Sequence, residues 1–240
     1  MKKLQGSFFE RPRFSKNLFM CILLVYVSVF FLAGCKKNPP VKPTQPVQVI
    51  HTDSSSCVAA GNFKTFTQGG WGAVPHGNNP GTYLHNNFAS VFPNGLTVGC
   101  NYTIKLTTAQ AVTDFLPQGG TPSALTINYI DPASQVTVLA GQLVALTLSV
   151  MFDAADPSFS SSSASLGSLV VVSGTFAGFT VSDVLNEANK VLGECVSAYS
   201  VADMNAILSS INENFDNGTV NNGVLNCTTT GAGSGGGTVN

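Results

Sequence analysis

Hydrophobic and polar residues alternate without a break from Leu96 to Leu106. Leu96, Val98, Cys100, Tyr102, Ile104 and Leu106 fall on one side, with Thr97, Gly99, Asn101, Thr103 and Lys105 on the other. A period of two is the signature of a strand with one buried face, so the spacing predicts a single strand with Cys100 pointing inward. Further along, the period changes to 3.6. Val184, Leu185, Ala188, Val191 and Leu192 share one helical stripe, and Met204, Ile207, Leu208, Ile211 and Phe215 share another. Both stripes read as core-facing. Each is preceded by a cap, Thr180 with Asp183 and Ser200 with Asp203, and Asn217-Gly218 is expected to end the second helix. Between these regions, AGQLVALTLSVMF (140–152) is apolar nearly all round, as expected of a helix in the middle of a fold. A short helix over AQAVTDFL (109–116) starts at Thr107 or Thr108 and stops before Pro117, and Leu169–Val172 reads as a short strand. GNNPG (77–81) reads as a turn. No repeat of 20 to 50 residues is visible. The pattern predicts an α+β fold over residues 57–227: a helix-rich single domain with a small antiparallel sheet.

The ends of the chain differ in character from this segment. Lys2, Lys3, Arg11, Arg13 and Lys16 precede an uncharged run of 16 residues, Leu18 to Ala33. That is the order of a secretory signal, and the run is short for a membrane span of about 20 residues. It ends at Leu32-Ala33-Gly34-Cys35, which resembles the lipobox of bacterial lipoproteins. The resemblance implies that residues 1–34 are removed and that Cys35 becomes the first residue, carrying acyl chains, each buried methylene adding about 0.8 kcal/mol of membrane affinity. The mature chain is then expected in a bacterial cell envelope. Lys36 follows the cysteine where an inner-membrane retention aspartate would stand, which favours the outer membrane and leaves the face open. Residues 36–56, with Pro39, Pro40, Pro43 and Pro46, read as an extended tether able to reach roughly 60 Å at ~3.1 Å per residue. The tail 228–240, rich in Gly, Ser and Thr, reads as low-complexity chain.

Removing the signal changes the charge. Six basic side chains remain against eleven acidic ones, a net charge of −5, and no arginine is left. A nucleic-acid partner is therefore not expected, since such binding depends on clustered Lys and Arg neutralising phosphate. Four cysteines remain in the predicted domain: Cys57, Cys100, Cys195 and Cys227. An even number in an exported chain reads as two disulfides with three possible pairings. Because domain termini often lie close together, the expected set is Cys57–Cys227 and Cys100–Cys195. A four-cysteine zinc site would want a CxxC pair, and none occurs.

The segments TQGGWG (67–72), VFPNGLTVG (91–99), FLPQGGTPSAL (115–125), LAGQLVALTLSV (139–150) and SVADMNAILSSINENFDNG (200–218) occur in this order. The set resembles an uncharacterised module of secreted and surface proteins, notably from Bacteroidota. It is also similar to a wider group that opens with cysteine and Thr-Gln-Gly-Tyr-Trp-Lys-Asn-His and closes near another cysteine. The resemblance spans nearly all of 57–227 and implies the Cys57–Cys227 pairing, but no activity. Here Gly72-Ala73 stand where Lys-Asn-His would be.

The remaining chemistry is sparse. Trp71 is the only tryptophan. With Phe66, Tyr83 and His85 it is a candidate platform for a sugar, because aromatic faces suit apolar sugar faces. The plainer reading is that it plugs the core beside permissive glycines. Candidate ligand-binding residues are thus Trp71, Tyr83 and His85. His76 and His85 could bind metal with Asp114 or Asp131, though no metal or other cofactor is expected from any motif: P-loop, G-x-G-x-x-G, G-x-S-x-G and H-E-x-x-H are all missing. The leading expectation is a non-catalytic, lipid-anchored module that binds a glycan or an envelope protein. The alternative is a periplasmic or surface hydrolase using His76 or His85.

Overall fold

The apolar run at the centre of the sequence is also the centre of the fold. In the computed structural model, which describes residues 58–59, 61–133 and 135–227, helix α4 spans Val138–Ala155. By length and composition α4 would suffice to cross a membrane, yet 61 % of it is buried inside the domain. It packs against α5 (Val181–Leu192) and α6 (Val201–Asn214), which also pack on each other, and against the short α1 (Gln68–Trp71). Neighbours on several sides are why Leu139, Leu143, Leu146, Leu148 and Phe152 are all fully buried and why no polar face was needed.

The two amphipathic helices form where their caps predict. Thr180 and Asp183 make the full capping box on α5, with Thr180 Oγ1 accepting from Asp183 N at 3.0 Å and the Asp183 carboxylate accepting from Thr180 N at 3.0 Å. Ser200 accepts from Asp203 N at the start of α6. This helix ends at Asn214, earlier than the Asn217-Gly218 pair, because Phe215 is wholly buried and leaves the helical conformation to reach the core. Thr108 is the N-cap of α3 (Ala109–Phe115).

The alternating segment is two strands and not one. β1 (Leu96–Gly99) and β2 (Thr103–Leu106) form an antiparallel hairpin, with Leu96 opposite Leu106 and Val98 opposite Ile104. The turn Cys100–Tyr102 has an odd number of residues, so even-numbered positions in one arm face even-numbered positions in the other. The in/out alternation therefore passes through the turn unchanged, and period alone cannot reveal it. Gly99 marks the reversal, with φ of 107° and no room for a Cβ beside the Tyr102 carbonyl. Cys100 consequently lies exposed at the hairpin tip and not inward. The tip turns toward the end of α5, where Cys100 is disulfide-bonded to Cys195 with Cα atoms 6.0 Å apart. Cys227 is also disulfide-bonded. Its expected partner Cys57 lies outside the described residues, as do Cys35, the signal segment, the tether and the tail.

The sheet is mixed, where an antiparallel one was expected. The chain leaves β2 through α3 and returns as β3 (Tyr129–Ile130), parallel to β2 with Ile104 opposite Tyr129. A crossover through a helix brings a strand back in the same direction. A second, two-stranded antiparallel sheet joins β4 (Val170–Val171) to β5 (Leu225–Asn226). One helix was not foreseen. GNNPG opens α2 (Pro80–Val91), with Asn79 Oδ1 accepting from Thr82 N at 2.8 Å and Pro80 in the first turn. Asn-Pro is both a turn signal and a good cap-plus-N1 pair, and the apolar positions that follow, Leu84 and Phe88, are too few to tip the reading. The architecture is α+β: six helices with small sheets of three and two strands among the described residues.

Candidate functional site

Trp71 is fully buried. Thr67 caps α1 by accepting from Gly70 N, and this short helix delivers the indole into a nest of rings. Phe66 meets it edge-on with centroids 5.0 Å apart, Phe159 stacks on it at 6.1 Å and 9°, and Phe152 lies 5.3 Å away. Its Nε1 donates to Ser149 Oγ on α4 at 3.2 Å. No face of the ring is open, so the platform reading fails for Trp71 and the core reading holds. The glycines beside it serve close approach: a Cβ on Gly72 would stand 2.3 Å from the Leu116 carbonyl oxygen.

Three segments of the sequence interlock beside α1. Gln68, from TQGGWG, is buried and its Oε1 accepts from Gln118 N of FLPQGG at 2.9 Å. Gln118 in turn donates from Nε2 to the Phe115 carbonyl and accepts from Val136 N at 2.6 Å. Gly141, from LAGQL, lies so close that a Cβ there would stand 1.8 Å from Gln68 Oε1. These residues interlock three segments of the core. Gln68 and Gln118 are both buried, so the contact is internal to the domain.

Tyr83 lies half-buried on α2, in the same aromatic group at 6.4 Å from Trp71. Its hydroxyl donates to Asp156 Oδ2 at 2.6 Å, and Asp156 Oδ1 accepts from both the backbone N and the hydroxyl of Ser158. Burial, then the bond to Asp156, raises the Tyr83 phenol well above its ordinary value near 10. The Tyr83 hydrogen bond, then those from Ser158, hold the Asp156 carboxyl below the usual carboxylate range. Asp156 and Asp153 line a cleft of about 290 Å³ with Ser160, Ser162, Ser163 and Ser165. Asp153 Oδ2 is engaged by Leu166 N at 2.6 Å.

The pair has a defined pH signature. Asp156 is depressed on folding, so its contribution is present above the unfolded value of 3.8 and is lost as pH falls through the folded one. Tyr83 is raised, so its contribution is present below about 10 and is lost as pH rises through the folded value. Tyr83→Phe is expected to cost about 1 kcal/mol, below the ~1.5–3 kcal/mol typical of a bond to a charged group, because both residues are only partly buried and solvent screens the bond. That cost should be constant from about pH 5 to 9 and should shrink below pH 4, as read by urea denaturation across pH.

His85 is the third candidate. It lies on the same helix as Tyr83 but on another face, and its Nε2 pairs with Thr113 Oγ1 of α3 at 3.0 Å. The structure thus brings Trp71 and Tyr83 together and sends His85 elsewhere. A groove of about 370 Å³ opens at His85, between α2 and the start of α3. It is lined by the apolar Phe88, Ala89, Phe92, Pro93 and Ala109 and by the polar His85, Thr107, Thr108 and Gln110. Sequence reading reached His85 but not the groove, because Phe92 and Gln110 become neighbours only through the packing of α2 on α3. His76 is exposed on the loop before α2. Among the described residues neither histidine is hydrogen-bonded to a serine or a carboxylate, and no three His, Cys, Asp or Glu side chains converge as metal ligands. Asp114 is taken by Gln110 Nε2 at 2.8 Å, and Asp131 by Thr107 N at 2.7 Å.

No protein-family model, curated protein or solved structure matches the chain.

Proposed function

We infer that the chain is a lipid-anchored protein of a bacterial cell envelope, held through acylated Cys35, with the outer membrane as the favoured membrane. Its domain serves as a non-catalytic binding module, taking up a glycan or an envelope protein. The observation that carries the reading is Leu32-Ala33-Gly34-Cys35 at the end of an uncharged 16-residue run behind five basic residues. The Cys100–Cys195 disulfide supports it, because such bonds persist in oxidising compartments outside the cytosol. The module reading is supported by the groove at His85 and by the engagement of the polar groups that a reaction would need. Asp156 has both oxygens occupied and is held ionised, which suits an acceptor and not a general acid. The alternative, a hydrolase using His76 or His85, has no specific geometry in its favour, since the partner of His85 is a threonine.

Two measurements test this reading. Cys35→Ser is expected to move the protein from the membrane pellet to the soluble fraction or to leave it uncleaved, with loss of the acyl mass at residue 35. Native protein that carries an intact leader and no acyl mass would refute the anchor. For the module, the full chain in detergent is expected to retain a specific component of envelope extract; retention of nothing would refute binding.

A further inference from the structure

We propose that the groove between α2 and α3 is a binding site for a short, neutral saccharide, with its apolar face on the exposed Ala89 and Pro93 and its hydroxyls on His85, Thr107, Thr108 and Gln110. This deepens the binding-module reading and rests on it.

The ligand class follows from the lining. The apolar surface is offered by Ala89 and Pro93, both exposed, with Ala109 beside them, and the buried Phe88 and Phe92, stacked with centroids 5.0 Å apart, also line the groove. The rest of the lining is polar, and its free valences can be assigned one by one. Thr107 donates its hydroxyl proton to Asp131 Oδ2 at 2.5 Å, which leaves its oxygen as an acceptor. Thr108 Oγ1 accepts from Ala111 N at 3.0 Å, which leaves its O–H to donate. Gln110 spends one N–H on Asp114, keeping its carbonyl and a second N–H. His85 commits Nε2 to Thr113 and keeps Nδ1. The lining thus offers both donors and acceptors, which suits hydroxyl groups, since each both donates and accepts.

The same inventory excludes other small ligands. No Lys or Arg lines the groove, so an anionic ligand would give up hydration without a counter-charge. A wholly apolar ligand would cover the remaining hydrogen-bonding capacity of four polar side chains without using it. A pyranose has one face of C–H bonds and a girdle of hydroxyls, and it meets both demands. The volume is at the small end of the range for ligand pockets, about 300–1,000 Å³, which limits the occupant to a short saccharide or the end of a longer one. The site is preformed, because α3 is fixed to α2 by His85–Thr113 and capped by Thr108.

The test is isothermal titration of the full chain in detergent with cellotriose, maltotriose, chitotriose and, as the charged comparison, trigalacturonic acid. At least one neutral trisaccharide is expected to bind, and the acidic one is not. Ala89→Arg places a long side chain across the groove from an exposed position of α2 and is expected to weaken binding at least tenfold with the unfolding midpoint unchanged. Gln110→Ala, also at an exposed position, is expected to weaken it about fivefold, the loss of one hydrogen bond. Tighter binding of trigalacturonic acid, binding indifferent to Ala89→Arg and Gln110→Ala, or no saccharide binding at all would each overturn the proposal. If no saccharide binds while envelope extract still yields a retained component, only the saccharide site falls. If both fail, the binding-module reading falls with it.

Discussion

Replacing Trp71 with alanine is expected to lower the unfolding free energy by about 3–5 kcal/mol, the range for removing a large aromatic side chain from a core. The upper part of that range applies, for three reasons. The indole is fully buried. The rings around it belong to separate elements: Phe152 on α4, Phe159 in the loop after it and Phe66 ahead of α1. They cannot all move inward together, so the cavity stays open. Ser149 would also lose the donor on its hydroxyl, although it keeps its own bond to the Ala145 carbonyl at 3.1 Å. Against a typical domain stability of about 5–15 kcal/mol this is a large share. Trp71→Phe, which refills part of the space, should cost markedly less. Guanidinium denaturation of both variants decides the matter. A Trp71→Ala chain within about 1 kcal/mol of the parent, yet unable to retain its envelope component, would restore the indole to a binding role.

The second large effect is expected at the disulfide. Cys100 and Cys195 are 95 residues apart in sequence, and closing a loop of that size constrains the unfolded chain by about 4–5 kcal/mol in the chain-entropy account. The double variant Cys100→Ser/Cys195→Ser should fall short of the full amount, at about 2–4 kcal/mol, with its native circular dichroism intact. The hairpin tip has other ties to the end of α5. Gly99 N donates to Asn189 Oδ1 at 2.7 Å, Tyr102 N to the Gly193 carbonyl at 3.1 Å, and Asn101 Nδ2 to the Glu194 carbonyl at 2.9 Å. The contact is close enough that a Cβ on Gly193 would stand 2.0 Å from Cys100 N. The tip therefore keeps its place when the sulfurs are gone, and the loss falls on the unfolded ensemble. A rise in the denaturant m-value should accompany the fall in stability, as the freed chain expands. An unchanged m-value together with a lost native signal would mean instead that the bond holds the folded hairpin itself.

The two results report on different parts of the molecule. The first concerns whether the residue that stands out most in the sequence has a task at the surface. Burial answers that it does not, and the groove lies instead between α2 and α3. His85 and Tyr83 are two residues apart on that helix and so project in different directions. One reaches the α3 groove, and the other reaches the end of α4 through Asp156.

By itself, the sequence determined whatever depends on near neighbours along the chain. The stripes of α5 and α6, the Thr180–Asp183 box, the Thr108 cap and the apolar α4 are set by contacts within one or two helical turns, so they can be read from spacing. The proposed envelope address also rests on the sequence alone, on the residues up to Cys35. What only the tertiary structure decided has its cause in long-range packing. The hairpin was hidden because an odd turn preserves alternation. β3 could not be read from two residues, because its pairing depends on a crossover through α3. The assignment of Trp71 to the core required Phe152 and Phe159, some eighty residues away, to close over it. The groove exists only where α2 and α3 lie side by side: alternation and helical period report which face of an element is buried, and say nothing about which other element covers it.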